Sequence, residues 1–196
     1  MTSRPTPTRE KILRSAEKLF ARDGVDRVTL RQIARASRQR NVAAVQYHFG
    51  DKDRLLAEIL DRHLTGIDAR RRELLDAQEC ADRIHDIEAL LGVLVEPLAT
   101  KLDDASGRAY LRIQSQRPGL DALRPATRVM AERIARALGR DGPDPLRDRF
   151  AVLLLFSALA DRVDAEESGQ ANTIDRRAFV ESLTHALHGL YLGAPA

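Results

Sequence analysis

The chain has 196 residues, 43% of them hydrophobic and 4% aromatic, with no tryptophan and a formal net charge of +3. The single cysteine, Cys80, excludes an intrachain disulfide; the start MTSRPTPTRE lacks the apolar core of a signal peptide; and no apolar run nears the ~20 residues of a membrane span, so a cytoplasmic chain is expected. The charge is uneven, with 14 basic and 8 acidic side chains in residues 1–66 (net +6) against 18 and 21 in residues 67–196 (net −3), which points to a polyanion held by the first third.

Met1 to Pro7 reads as a polar tail with Thr8 as the N-cap of a first helix. Ile12, Leu13, Ala16, Leu19 and Phe20 then recur at helical spacing until Gly24, a residue suited to a left-handed helix end. Thr29-Leu-Arg-Gln32 is a capping box, with Val28 placed to staple onto Ile33. Leu30, Ile33 and Ala34 give this second helix its buried face. Ser37-Arg38-Gln39-Arg40 breaks the pattern. Asn41 can cap a third helix, Val42 to about Phe49, whose inward residues are Val42, Val45 and Phe49. Gly50 closes it and Asp51 opens a fourth, with a stripe from Leu55 and Leu56 through Ile59, Leu60 and Leu64 to Ile67. Arg70, Arg71 and Arg72 read as the solvated side of its continuation, and Cys80 as a partly buried filler.

Further helices are expected at Ile84–Leu102, kinked at Pro97, and at Ser106–Gln116, Ala122–Leu138, Pro145–Asp164 and Asp175–Tyr191. The breaks are Asp103-Asp104, Arg117-Pro118-Gly119, Gly139 to Pro145 and Glu166 to Thr173. Phe150 to Ala160 is apolar on every side, as in a helix covered all round, and the last helix carries a wide apolar stripe that needs its own core or a second subunit as cover. With few glycines and no alternating β-branched run, the expected fold class is all-α.

Two short helices joined by a turn and braced by a third make a helix-turn-helix, whose second helix enters the major groove. Ile12, Leu13, Ala16, Leu19, Phe20 and Gly24, then Val28 to Ala34, and above all Tyr47-His48-Phe49-Gly50-Asp51-Lys52 with Leu55-Leu56 carry a resemblance to the TetR family of bacterial transcriptional regulators. One departure stands out. Where such proteins have a short turn such as Ala-Gly-Val, this chain has Ala36-Ser37-Arg38-Gln39-Arg40, one residue longer and without the glycine.

The resemblance implies a helix-turn-helix DNA-binding domain over residues 8–54 and a helical ligand-binding and dimerisation domain over 55–196. It implies phosphate contacts from Thr29, Arg38, Tyr47, His48 and Lys52, and base contacts from Gln39, Arg40, Asn41 and Gln46. Arg suits guanine and Asn or Gln suits adenine, each bidentate pair giving roughly 1–3 kcal/mol of discrimination. It further implies a homodimer on a palindromic double-stranded operator, released by a small-molecule effector. Phe150, Leu154, Phe179, Leu183, Leu187 and Leu190 are the interface candidates. His63, Glu96, Tyr110, Arg112 and Gln114, polar residues within apolar stretches, are the candidates for the effector pocket, with solvated positions as the competing reading. A small-molecule carrier with a vestigial helix-turn-helix is the alternative.

No catalytic motif, cofactor or membrane partner is indicated. Glu181, His185 and His188 share a helical face in the manner of metal ligands, but that face lies opposite the apolar stripe and reads as solvated, so no metal is expected.

Overall fold

The computed structural model describes residues 7–117, 125–169 and 175–193 and is helical throughout them. The helices are α1 (Pro7–Asp23), α2 (Leu30–Ala36), α3 (Ala43–Phe49), α4 (Lys52–Cys80), α5 (Ile87–Ala99), α6 (Ala105–Gln116), α7 (Pro125–Ala137), α8 (Pro145–Glu167) and α9 (Arg176–Leu192). A single 3₁₀ turn, Thr100–Leu102, follows Pro97 in the last turn of α5. The expected tail before Pro7, the Pro118-Gly119 break, the start at Ala122 and the break ending at Thr173 lie outside the described residues. No described helix is long and apolar enough to cross a membrane.

Aspartates start most of these helices. Asp51, Asp86, Asp104, Asp144 and Asp175 each accept backbone N–H bonds from the first turn that follows, satisfying donors the helix itself cannot. Asp51 and Asp175 sit where the sequence places helix starts, and Asp104 ends the predicted Asp103-Asp104 break.

Packing is sequential at the start: α1 lies against α2, α4 and α6, with α3 held between α2 and α4. Beyond that, α5 packs on α4, α7 and α9, and α8 on α6 and α9. The buried side chains join into one cluster from Ile12 in α1 to Tyr191 in α9. The C-terminus of α9 is fixed by long side chains. Arg140 donates to the Tyr191 carbonyl, Arg147 to those of Leu190 and Tyr191, and the Tyr191 hydroxyl to Asp148 at 2.7 Å.

Three expectations change. Arg71 is not on the solvated side of α4; it is 3% exposed, in register with Leu64, Ile67 and Leu75, and its one carboxylate contact among the described residues is Asp68, at 3.7 Å. The spacing 64, 67, 71, 75 is the buried stripe itself, and the charge hid it. Cys80 is exposed at the end of α4. The Phe150–Ala160 run is covered on one side only, since Phe156 and Leu159 are buried while Phe150 is 47% and Leu154 38% exposed.

Two outcomes follow from this packing. A Cβ on Gly107, in the first turn of α6, would stand 2.3 Å from the Lys101 carbonyl oxygen and 2.8 Å from its Cα. Backbone cannot move aside as a side-chain tip can, so Gly107→Ala is expected to lose about 1–3 kcal/mol by denaturant unfolding. Acid should weaken the fold as well. The Arg83 guanidinium holds the Asp86 carboxyl below its usual range, the Gly107 and Ser106 amides do the same for Asp104, and Arg62 does so for Glu10. Burial pushes Asp148 the opposite way, but it is one group against three. Carboxyls whose pKa is lower folded than unfolded contribute stability above about pH 4 and lose it as pH falls through the folded value, so the melting temperature should drop between about pH 5 and pH 3.

Candidate nucleic-acid interface

The capping box opens α2 as the sequence specifies: the Thr29 N–H donates to Gln32 Oε1 at 2.7 Å and the Gln32 N–H to Thr29 Oγ1 at 3.3 Å. Val28 and Ile33, the expected staple, are 1% and 0% exposed. At the other end of α2 the missing glycine is replaced by strain. Arg38 takes the left-handed backbone (φ 56°), its N–H donating to the Arg35 carbonyl and that of Gln39 to the Ala34 carbonyl at 2.8 Å. This bond pair is the Schellman closure normally built on glycine. Ser37, wholly buried, reinforces it by donating its hydroxyl to the Ile33 and Ala34 carbonyls at 2.7 and 3.1 Å.

The chain then re-enters helix at Ala43, one residue later than expected, with Val42 and not Asn41 at the N-cap position; Asn41 Oδ1 nonetheless accepts from the Ala44 N–H at 3.3 Å. Val45 and Phe49 face the core. Arg9 of α1 lies over the Phe49 ring at 5.0 Å, and Gly50 at φ 78° closes the helix. Ala43, Gln46 and Tyr47 are left on one exposed face, the Tyr47 side chain 87% exposed. His48 is half-buried and edge-on to Tyr47.

The charge around this face is one-signed. From Arg27 to Gly50 there are five arginines and no acidic residue. Among the described residues Arg27, Arg31, Arg35, Arg38 and Arg40 pair with no carboxylate, whereas Arg9, Arg14, Arg22, Arg54 and Arg62 nearby are all paired. Arg31, Arg35 and Arg40 border a notch between α2 and the start of α3. Arg31 and Arg35 went unnoticed in the sequence, although the acid-free run between Asp26 and Asp51 marks them.

Two residues expected to touch a ligand are engaged within the chain. Lys52 donates its ammonium to the carbonyls of Val25, Asp26 and Val28 at 3.0, 3.4 and 3.3 Å, which uses its three protons to hold the loop between α1 and α2. Gln39, half-buried, turns its side-chain amide onto the Ser37 carbonyl at 3.0 Å. Thr29, Arg38, Arg40, Asn41 and Gln46 are exposed.

Of the five pocket candidates, three meet. His63 Nε2 lies 2.7 Å from Glu17 Oε1 of α1, its ring stacks on Tyr110 at 4.7 Å, and Gln114 donates to the Tyr110 hydroxyl at 3.1 Å. Gln114 Oε1 is buried with no partner. Glu96 is exposed and paired with Arg70, and Arg112, half-buried on the same helix as Tyr110 and Gln114, pairs with Asp164 and Glu167. Among the interface candidates, Phe150 and Leu154 are exposed, Phe179 and Leu190 half-buried, and Leu183 and Leu187 belong to the chain's own core.

Comparison with known proteins places this geometry. Residues 12–59 match the family model described as bacterial regulatory proteins, tetR family. No curated protein matches. Among solved structures, the chain is similar to NalD of Pseudomonas aeruginosa, the secondary repressor of the MexAB-OprM multidrug efflux pump. Identity is 24%, coverage 92% of this chain and 93% of that one, and TM-score 0.58. A TetR-family regulator of Streptomyces coelicolor A3 aligns at 26% identity over 98% and 100% of the two chains with a TM-score of 0.48. Salmonella enterica GusR aligns at 22% over 97% and 98%, also at 0.48.

The turn gives a direct check. Since a left-handed arginine costs about 1 kcal/mol relative to a residue without Cβ, Arg38→Gly should raise the melting temperature slightly, a result readable by differential scanning calorimetry.

Proposed function

We propose that this chain, which belongs to the TetR family of bacterial regulatory proteins through its residues 12–59, is a DNA-binding transcriptional repressor acting as a homodimer on a palindromic operator and released by a small-molecule effector. The carrying observation is the exposed face of α3 beside a notch bordered by Arg31, Arg35 and Arg40, within a run of five arginines that pair with no carboxylate among the described residues. A double helix supplies the missing counter-charge, because its phosphates bind through release of condensed cations.

In this reading residues 8–54 form the DNA-binding domain and residues 55–196 the effector-binding and dimerisation domain. Tyr47, His48, Thr29, Arg31, Arg35 and Arg38 contact phosphates, and Arg40, Asn41 and Gln46 read base edges. Gln39 reaches bases only after breaking its bond to Ser37. The exposed Phe150 and Leu154 of α8 and the half-buried Phe179 and Leu190 of α9 favour a partner along those two helices. A two-fold pair would set its α3 helices about 34–36 Å apart, one turn of DNA. The Glu17–His63 contact ties α1 to α4, so an effector that moves α4 or α6 would shift that spacing.

Fluorescence anisotropy against the protein's own promoter region tests this. Binding to a palindrome should fall steeply with salt; Arg31→Ala and Arg35→Ala should each flatten the log–log salt dependence by about 1, whereas Arg40→Ala should cost about 1–3 kcal/mol and relax sequence preference. Tyr47→Ala should weaken binding without altering the melting temperature. Binding indifferent to sequence and to these substitutions refutes the reading.

A further inference from the structure

The helical face of α9 that carries His185 and His188 acquires a third donor from another part of the chain. Glu88, in the first turn of α5, faces them across the α5–α9 contact. Its Oε1 lies 4.0 Å from His185 Nδ1, and one donor atom from each of the three residues lies within 4.8 Å of the other two. The two imidazole rings stand 6.3 Å apart at a tilt of 66°. Glu181, their neighbour on the same face, is engaged with Arg177 at 2.8 Å and takes no part.

We propose that Glu88, His185 and His188 form a binding site for a borderline divalent transition-metal ion, of which Zn²⁺ is the representative, that staples α9 to α5. Two imidazoles and one carboxylate are the donor set such ions select, whereas Mg²⁺ and Ca²⁺ take oxygen cages. Three protein ligands leave the fourth position to water. An ion with metal–ligand bonds near 2.1 Å needs donors about 3.4 Å apart in a tetrahedron, so the observed spacing closes by side-chain rotation, with both helices staying in place. The Glu88 and His185 side chains are 58% and 81% exposed, so they keep the freedom to rotate and an ion reaches them directly from solvent. The ion converts three surface groups into a cross-link between a helix near the middle of the chain and the last one. Occupancy therefore reads out as stability.

Isothermal titration of the untagged, metal-stripped full chain with ZnCl₂, paired with thermal melts, tests the site. We expect one ion per chain, a rise in melting temperature of about 5 °C or more at a hundredfold excess over Kd, and no response to MgCl₂. Glu88→Gln should weaken binding about tenfold or more, and the double variant His185→Gln, His188→Gln should abolish it while melting like the parent without metal. The proposal is overturned by the absence of a saturable step, by equal binding in the double variant, or by binding lost on Cys80→Ser.

Discussion

The arrangement of the first three helices depends on one ammonium group. Lys52 is the first residue of α4, its helix start held by the Asp51 cap, and its side chain reaches back to three carbonyls of the loop that leads into α2. The helix-turn-helix is thus clamped at both ends by a single residue, with α2, the turn and α3 lying between the two attachment points. Such a loop would otherwise present unsatisfied acceptors next to buried Val25 and Val28. Hydrogen bonds from a charged donor to neutral acceptors contribute more than neutral pairs, about 1.5–3 kcal/mol each at most. The small apolar cluster of Ile12, Phe20, Ile33, Val45 and Phe49 then needs only to hold the short helices against a frame already fixed.

That frame connects to the rest of the molecule through polar contacts as well as apolar ones. Glu17 of α1 meets His63 of α4 and, through its second oxygen, the Ser106 hydroxyl of α6 at 2.7 Å. His63 in turn covers Tyr110, whose ring meets Phe156 of α8 edge-on at 6.3 Å. Hydrogen bonds have sharper distance and angle requirements than apolar packing, so a shift of α4 or α6 relative to α1 is resisted at this junction first. Gln114 Oε1 of α6 and the Arg71 Nε and Nη1 atoms of α4 are buried without a hydrogen-bond partner among the described residues. Leaving them unsatisfied carries a penalty that a polar molecule lodged beside them would remove.

Much of this was legible in the sequence. Periodicity placed the helices, and the capping box, Gly24, Gly50 and Asp51 marked ends that the structure keeps. These are local signals, each completed within a turn of chain. What escaped depends on partners far away in sequence. Lys52 looks like a solvent-facing cation until the loop 24 to 27 residues earlier is seen to pass its tip. Arg71 looked solvated because residue type outweighed register. Glu88 lies almost a hundred residues from His185, and only the α5–α9 packing brings them together. The unneutralised arginines were visible as a run without acids, but their lack of partners is a three-dimensional fact.

The turn between α2 and α3 shows how these constraints conflict. Glycine is the residue that closes a helix with least strain, yet Arg38 occupies the left-handed position. The chain offsets the strain with the Ser37 hydroxyl, which makes two extra bonds to the end of α2 from a fully buried site. Serine at that position is therefore part of the same solution as the arginine after it. The side chain projected from the turn is a cation, one of five arginines in a stretch that has no acid between Asp26 and Asp51. A glycine would relax the backbone and remove that charge from the rim of the face presented by Tyr47 and Gln46. Backbone strain of this kind clusters at functional sites, and here it keeps a cation where the pattern of the helices on either side would lead to a glycine.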